Sequence, residues 1–331
     1  MFSIEEFSKI IDGHYNFDKN YRIKSISSLE KIRKNSLVFI FDKKNLLKVK
    51  KNNDFVIVIQ ENLNHELHEF EKIFLVKNVQ EAFVKSLNFF QKKSSVPSPL
   101  IDKKKYPLVE FYSTCYLGLN VEIGINSSIG LNVIIEDDVS LGKNVQIGHG
   151  CVIHAGTKIS DNVIIQSGTI IGSNGFGNIR NENKKWINIP HIGYVEIHRN
   201  VSIGAGCSID RGTIDNTVIN SGVQIDNQVH IAHNVIIGKD SAIAANVGIA
   251  GSTVIGQRNL IGGMVGIIDH LKLCDDVIIS AKSIVIHDIN EPGIYSGIMP
   301  ITKHHNWKRI ALWITKLDKI SKFLKIKRND L

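Results

Sequence analysis

Leu117-Gly-Leu-Asn-Val-Glu-Ile123-Gly-Ile-Asn-Ser-Ser-Ile129-Gly-Leu-Asn-Val-Ile-Ile135 returns to an apolar residue at every sixth position. The series continues through Leu141, Ile147, Ile153, Ile159, Ile165 and Ile171. It resumes at Ile197, Ile203 and Ile209, then runs from Ile219 in steps of six to Val285. An α-helix repeats near 3.6 residues and a strand at 2, so neither explains this period. Hexads sustained over this length predict a parallel β-helix. One residue in six fills the core of a narrow prism, and three hexads close a coil of about 18 residues. From Val121 to Thr169, four residues after each apolar position stands a small or β-branched residue, such as Val121, Ser127, Val133, Cys151 and Thr169, suited to the inside of a corner. Gly118, Gly124, Gly130, Gly142, Gly148 and Gly172 directly follow apolar positions and are expected to make the bends. Stacked coils, about 4.8 Å apart, bury a column that no single repeat could bury.

The rest of the chain divides around this solenoid. Residues 1–95 predict a separate α/β domain. In it, Ser36-Leu-Val-Phe-Ile-Phe, Phe55-Val-Ile-Val-Ile and Phe74-Leu-Val read as strands, and the apolar spacing from Val79 to Phe90 is helical. Lys92-Lys-Ser-Ser-Val-Pro-Ser-Pro opens a linker that occupies 96–111. The β-helix is expected over 112–290, with an insertion at 173–193 rich in Asn, Gly and Lys. A loop of that length leaving a regular solenoid is more often functional than decorative. Residues 291–331 form an extension in which Trp307 to Lys327 reads as one amphipathic helix. Its stripe is Ile310, Ile314, Leu317, Ile320 and Leu324, flanked by Lys316, Lys319, Lys322 and Lys325. Such a stripe needs a partner surface, and neighbouring subunits are the simplest one.

The net charge of +8 is uneven. Residues 1–105 hold 20 Lys/Arg against 13 Asp/Glu, residues 106–300 hold 11 against 17, and residues 301–331 hold 9 against 2. A solvated helix face or a dock for an acidic protein fits the basic end. Nucleic acid does not, since no recognition motif or stacking platform accompanies the charge. Cys115, Cys151, Cys207 and Cys274 lack metal-ligand spacing and read as small buried hydrophobes in a reducing compartment. Met1-Phe-Ser-Ile-Glu-Glu shows no signal peptide, and no apolar run spans a bilayer, so a cytoplasmic protein is expected.

Candidate chemistry sits on the outward positions. His233 lies two residues after the inward Ile231, Gly251 is one coil on, and His270 follows three after Ile267. The three form a ladder along one edge, with rungs about 5 Å apart. A base, an exposed backbone N–H at a glycine and a second histidine suit acyl transfer, although surface histidines are common. A metal site is not expected. His149 and His154 resemble a zinc-binding pair of the γ-class carbonic anhydrases, but no third histidine lies between Glu69 and His149.

Five motifs then occur in order: Gly175-Phe-Gly, Trp186-Ile-Asn-Ile-Pro-His-Ile-Gly, Ile209-Asp-Arg-Gly, Ile225-Asp-Asn-Gln-Val-His-Ile-Ala-His-Asn and Glu291-Pro-Gly-Ile-Tyr-Ser-Gly. Together they resemble the UDP-3-O-acylglucosamine N-acyltransferases of lipid A biosynthesis. The resemblance implies a left-handed parallel β-helix assembled as a homotrimer, a handedness opposite to the usual crossover rule. It implies transfer of a 3-hydroxyacyl chain from acyl carrier protein to the 2-amino group of a UDP-3-O-acylglucosamine. No cofactor is implied, since the acyl donor rides on the carrier's phosphopantetheine. His233 matches the general base, Gly251 the oxyanion N–H and His270 a supporting histidine. Phe39 matches an aromatic that stacks on uracil, while Asn45 stands where a tyrosine is usual. Asn227 and Asn234, within the fourth motif, are candidate substrate-binding residues. Ile284 falls near the position that limits acyl length. The competing readings are the related UDP-N-acetylglucosamine O-acyltransferase, a non-catalytic trimeric scaffold and a sugar nucleotidyltransferase. The first lacks an N-terminal unit like 1–95. The second needs no histidine ladder. The third calls for a Gly-rich loop, whereas residues 1–95 contain only Gly13.

Overall fold

A computed structural model of the chain describes residues 2–47, 49, 54–66, 70–92, 95–98, 103–112, 114–297 and 301–324. The hexads form a parallel β-helix of short strands in three sheets of eight, nine and ten strands. Each strand pairs with its equivalent one full coil on, as in Ile129↔Ile147, Ile135↔Ile153 and Ile249↔Ile267. The inward Ile and Leu residues, apart from the partly buried Ile123, and the corner Val, Cys and Thr residues are buried along the column. Buried corner hydroxyls are satisfied within the stack: Ser127 Oγ donates to Gly142 O and accepts from Val145 N.

The corners depart from the expectation for glycine. The left-handed backbone falls three residues after the apolar position, where asparagine is the commonest residue, as at Asn120, Asn132, Asn144, Asn162 and Asn246, with glycine next, as at Gly150 and Gly168. Asparagine tolerates this region better than most residues. Its amide also bonds to the equivalent position one coil on, as Asn144 Nδ2 does to Asn162 Oδ1 at 2.9 Å. The glycines directly after apolar positions serve close stacking instead. A Cβ on Gly118 would fall 2.6 Å from Asp137 N in the next coil.

Two extra segments leave the solenoid. Ile171 pairs with Ile209, whereas a regular coil would have paired it with Ile189, so the insertion lengthens this coil to about twice the usual size. Part of it is a hairpin of Asn178–Arg180 and Trp186–Asn188, with Arg180 over the Trp186 ring. In the next coil Ser208 pairs with His230, beyond the Asp226 that a regular coil would reach, and the excess is taken up by the turn 211–216.

Toward the N-terminus, a five-stranded sheet runs in the order Gly13–Tyr15, Ile73–Val76, Val56–Gln60, Ser36–Ile40, Ser25–Ser27. Helices Ile4–Ile11 and Val79–Phe90 cover one face. The first carries a Ser3/Glu6 capping box, and Asn78 caps the second. Their core of Phe7, Phe39, Phe74 and Leu87 also receives Ile189 and Ile192 of the insertion and Ile214 of the extra turn. Residues 1–296 therefore pack as one compact unit. Residues 297–331 are a second unit. The single helix expected over Trp307 to Lys327 is two helices, His304–Ile314 and Leu317–Phe323, broken at Thr315 and Lys316. Lys325 lies outside the described residues. Among the described residues no helix is long and apolar enough to cross a membrane.

Candidate active site

His233 leaves the corner after Ile231 and stands over Gly251. Their coils are joined by Ser252 N→His233 O at 2.9 Å, and the next rung by His270 N→Gly251 O at 3.0 Å. The expected ladder is thus assembled, and its three members line one cleft of about 710 Å³. Glycine at 251 leaves the ring its place, since a Cβ there would lie 2.6 Å from His233 Cε1 and 2.7 Å from Nε2.

A hydrogen-bond network fixes the tautomer of His233. Asn234 donates through Nδ2 to Asp215 O at 2.9 Å, which orients the amide. Asn234 Oδ1 then accepts from Thr213 N and faces His233 Nδ1 at 3.0 Å. Nδ1 therefore carries the hydrogen, and Nε2 presents a lone pair toward Gly251.

The corner N–H matters as well. At equivalent corners it is taken by a side chain one coil on: Leu119 N by Asp137, Lys143 N by Asp161, Gln257 N by Asp275. Among the described residues no such side chain takes the N–H of Gly251. Asp269, the equivalent residue in the coil after Gly251, is exposed and lies beside His270.

Behind His233 lies a residue that the sequence reading did not single out. His191 of the insertion is fully buried, and its ring meets that of His233 edge-on at 5.1 Å. Its Nδ1 lies 2.9 Å from Ile189 O, while Nε2 has no partner among the described residues. Burial, then the neighbouring His233, pushes its pKa down to about 4, so it stays neutral. Gly175 makes room for both rings: a Cβ there would lie 2.8 Å from His233 Cβ and 2.9 Å from His191 Nε2.

A second cleft of about 570 Å³ adjoins the first, with His270 lining both. Phe39, Phe41 and Phe83 form one wall, and Thr213, Asn216 and Asn234 form another. Phe39 is only 4% exposed and packs edge-on against Phe83, whereas Phe41, two residues on, is 42% exposed. Asn45 sits in the short helix Lys43–Leu46, where Asp42 Oδ1 accepts its N–H. Asn227 is placed elsewhere, its Oδ1 accepting from Ala205 N at another corner. Ile284 lies in the first cleft, one coil beyond Gly266 in the same column. His149 Nδ1 accepts from Leu131 N, and His154 pairs with Glu136 at 3.2 Å. The turn 211–216, which supplies walls to the second cleft, was signalled by the irregular step between Ile209 and Ile219.

A hexad β-helix with a histidine-lined cleft defines a class, and the bacterial transferase hexapeptide (six repeats) family matches residues 138–173 and 216–251. More particularly, the chain is 52% identical over 156 residues to the UDP-3-O-acylglucosamine N-acyltransferase of Idiomarina loihiensis, covering 47% of this chain and 46% of that protein. It is 44% identical over 156 residues, with the same coverage, to the protein of that name from Coxiella burnetii. The resemblance carried by the motifs is borne out by these matches, in which the chain spans about half the length of the curated relatives. Among solved structures, the Francisella novicida UDP-N-acetylglucosamine acyltransferase aligns with a TM-score of 0.50 at 20% identity, over 58% of this chain and 66% of that one. That likeness concerns the fold alone.

Proposed function

We propose that this protein is an N-acyltransferase. It would move a 3-hydroxyacyl chain from acyl carrier protein to the 2-amino group of a UDP-3-O-(3-hydroxyacyl)-glucosamine, giving a UDP-2,3-diacylglucosamine for lipid A. One observation carries the reading: the ring of His233 stands over Gly251, whose N–H no side chain takes among the described residues, where the acyl cleft meets the aromatic-walled cleft at His270.

The step balances as follows. The amine nitrogen attacks the thioester carbon, and the oxyanion is held by the N–H of Gly251. His233 Nε2 takes a proton from the attacking nitrogen. The C–S bond then breaks, and the proton leaves with the thiol of the carrier. Asn234 holds the base through a neutral amide, and His270 supports the acceptor. No resident cofactor takes part. The uridine would sit in the second cleft, with Phe41 as the open aromatic face beside Phe39. The basic residues of 301–324 suit an acidic carrier protein. The exposed apolar side chains Ile314, Leu317 and Leu324 suit assembly as a homotrimer. Substrates of this kind place the reaction in the cytoplasm.

The test is an assay with 3-hydroxyacyl carrier proteins of several chain lengths and UDP-3-O-acylglucosamine. Equimolar release of carrier thiol and formation of an amide is expected. A purified, folded protein that forms no amide with any donor would sink the reading.

A further inference from the structure

The acyl cleft holds a histidine that the reaction above leaves without a task. His230, Gly248, Gly266 and Ile284 stand in register on four successive strands and form the floor of the cleft. A Cβ on Gly248 or Gly266 would meet nothing within 4 Å, so no packing within the chain demands glycine there. The two glycines leave a bare strip without side chains, and Ile284, 69% exposed, stands at its far end. The lining beside the strip is apolar, from Ala232, Ile249, Ala250 and Ile267. His230 breaks that character at the near end, three residues before the base His233.

His230 is also backed by a built polar chain. Its Nε2 lies 3.8 Å from Asp210 Oδ2, and Ser173 Oγ donates to Asp210 Oδ1 at 2.6 Å. Asp210 is 5% exposed. A carboxylate at such depth is costly unless it is partnered, so its place behind a half-exposed imidazole is not neutral decoration. Burial raises the Asp210 pKa, and Ser173 and the two nearby histidines act against that rise. Ser173 ends the strand that opens the insertion, and Asp210 opens the extra turn. Both departures from the solenoid therefore contribute to this chain.

We propose that His230, held from behind by Asp210 and Ser173, recognises a hydroxyl near the thioester end of the acyl chain and so selects hydroxylated over unsubstituted donors. With the carbonyl held as proposed between His233 and Gly251, the third carbon lies two bonds further along and its hydroxyl oxygen three, toward the His230 end of the strip. An imidazole can accept from or donate to such a hydroxyl. A donor without it would leave His230 facing methylene groups, its polar edge desolvated and unpaired. This inference rests on the acyltransferase reading and specifies its donor.

The experiment compares acyl carrier proteins bearing 3-hydroxyacyl and unsubstituted acyl chains of equal length. It measures both Kd and kcat/KM for the wild type, His230→Leu, His230→Gln and Asp210→Asn. The wild type should favour the hydroxylated donor by about tenfold or more in Kd, the scale of one hydrogen bond in a partly wet site. His230→Leu should abolish that ratio, His230→Gln should keep most of it, and Asp210→Asn should weaken it. An equal loss for both donors in His230→Leu would mean that the residue only shapes the cleft, and would overturn the proposal. So would a wild type that binds both donors alike. Turnover onto the UDP-sugar tests the reaction, while the Kd ratio tests the hydroxyl site without turnover, so the two failures are told apart.

Discussion

The corner after Ile135 and the corner after Ile249 have the same backbone and differ in what closes them. In the first, Asp137 accepts the N–H of Leu119 in the coil before it, and Asp137 is itself tied to Ser95. In the second, Gly251 offers no side chain to the coil before it, and the ring of His233 occupies the space. One corner spends its polar groups on cohesion between coils. The other, among the described residues, leaves the N–H of Gly251 without a side-chain partner beside the imidazole of His233, both lining a cleft. The repeat supplies a rigid lattice of such corners, and the proposed chemistry sits where one of them is left open.

The comparison can be broken most sharply at the base. On the proposed role in proton transfer, His233→Ala should lower kcat by about 10²–10⁴-fold, and the side chain fills no core. The melting temperature should stay near that of the wild type. Retention of more than a tenth of kcat would remove His233 from the reaction.

A paired substitution separates the two kinds of corner. Gly251→Ala places a Cβ against a side chain that can move, whereas Gly118→Ala places one against the Asp137 backbone. The first should cost about 100-fold or more in kcat with little change in stability, by displacing the base. The second should leave kcat largely intact and destabilise the early coils by about 1–3 kcal/mol. Urea titrations and steady-state kinetics on both variants decide it, and matching profiles would refute the distinction.

The N-terminal sheet offers a milder test. Phe41→Ala should raise KM for the UDP-sugar several-fold while kcat and melting temperature hold, the pattern of lost uniform binding. Phe39→Ala removes a ring from a packed core, so its dominant effect should be a loss of about 3–5 kcal/mol in stability. If only Phe39→Ala moves KM in a protein that remains folded, the stacking face is Phe39 after all.

The smallest effect concerns pH. His191 has a folded-state pKa of about 4, below its ordinary value of 6.5. The unfolded chain therefore binds more protons between these values, and stability falls as pH drops from 6.5 toward 4. His191→Gln should flatten this part of the melting curve against pH. An unchanged slope would mean that His191 is not held neutral by the fold.

Much of this was readable from spacing. The inward column, the three-hexad coil and the meeting of His233, Gly251 and His270 follow from counting in sixes, because each coil repeats the last. The asparagines at left-handed positions were visible in the same count, yet the glycines drew the explanation, since a bend and a close approach both favour glycine. His191 could not be placed, because the insertion interrupts the count and its docking on His233 depends on tertiary packing. Phe41 could not be preferred over Phe39, as both share one strand face and only the fold sets their burial. The break at Thr315 and Lys316 carries no proline or glycine, and the apolar period runs through it unbroken.

The bare strip over Gly248 and Gly266 has a consequence for how such a protein changes over time. Its length is set by the number of coils between the base and Ile284, and each coil adds one strand spacing of about 4.8 Å. A substitution at residue 284 can trim or extend the strip by a fraction of that step. An in-frame duplication or loss of the codons for one whole coil changes it by the full step and leaves every remaining corner bonded to a neighbour. On the proposed reading, the chain length that such a strip accepts is therefore free to move by two separate routes, one fine and one coarse, without rebuilding the His233 corner.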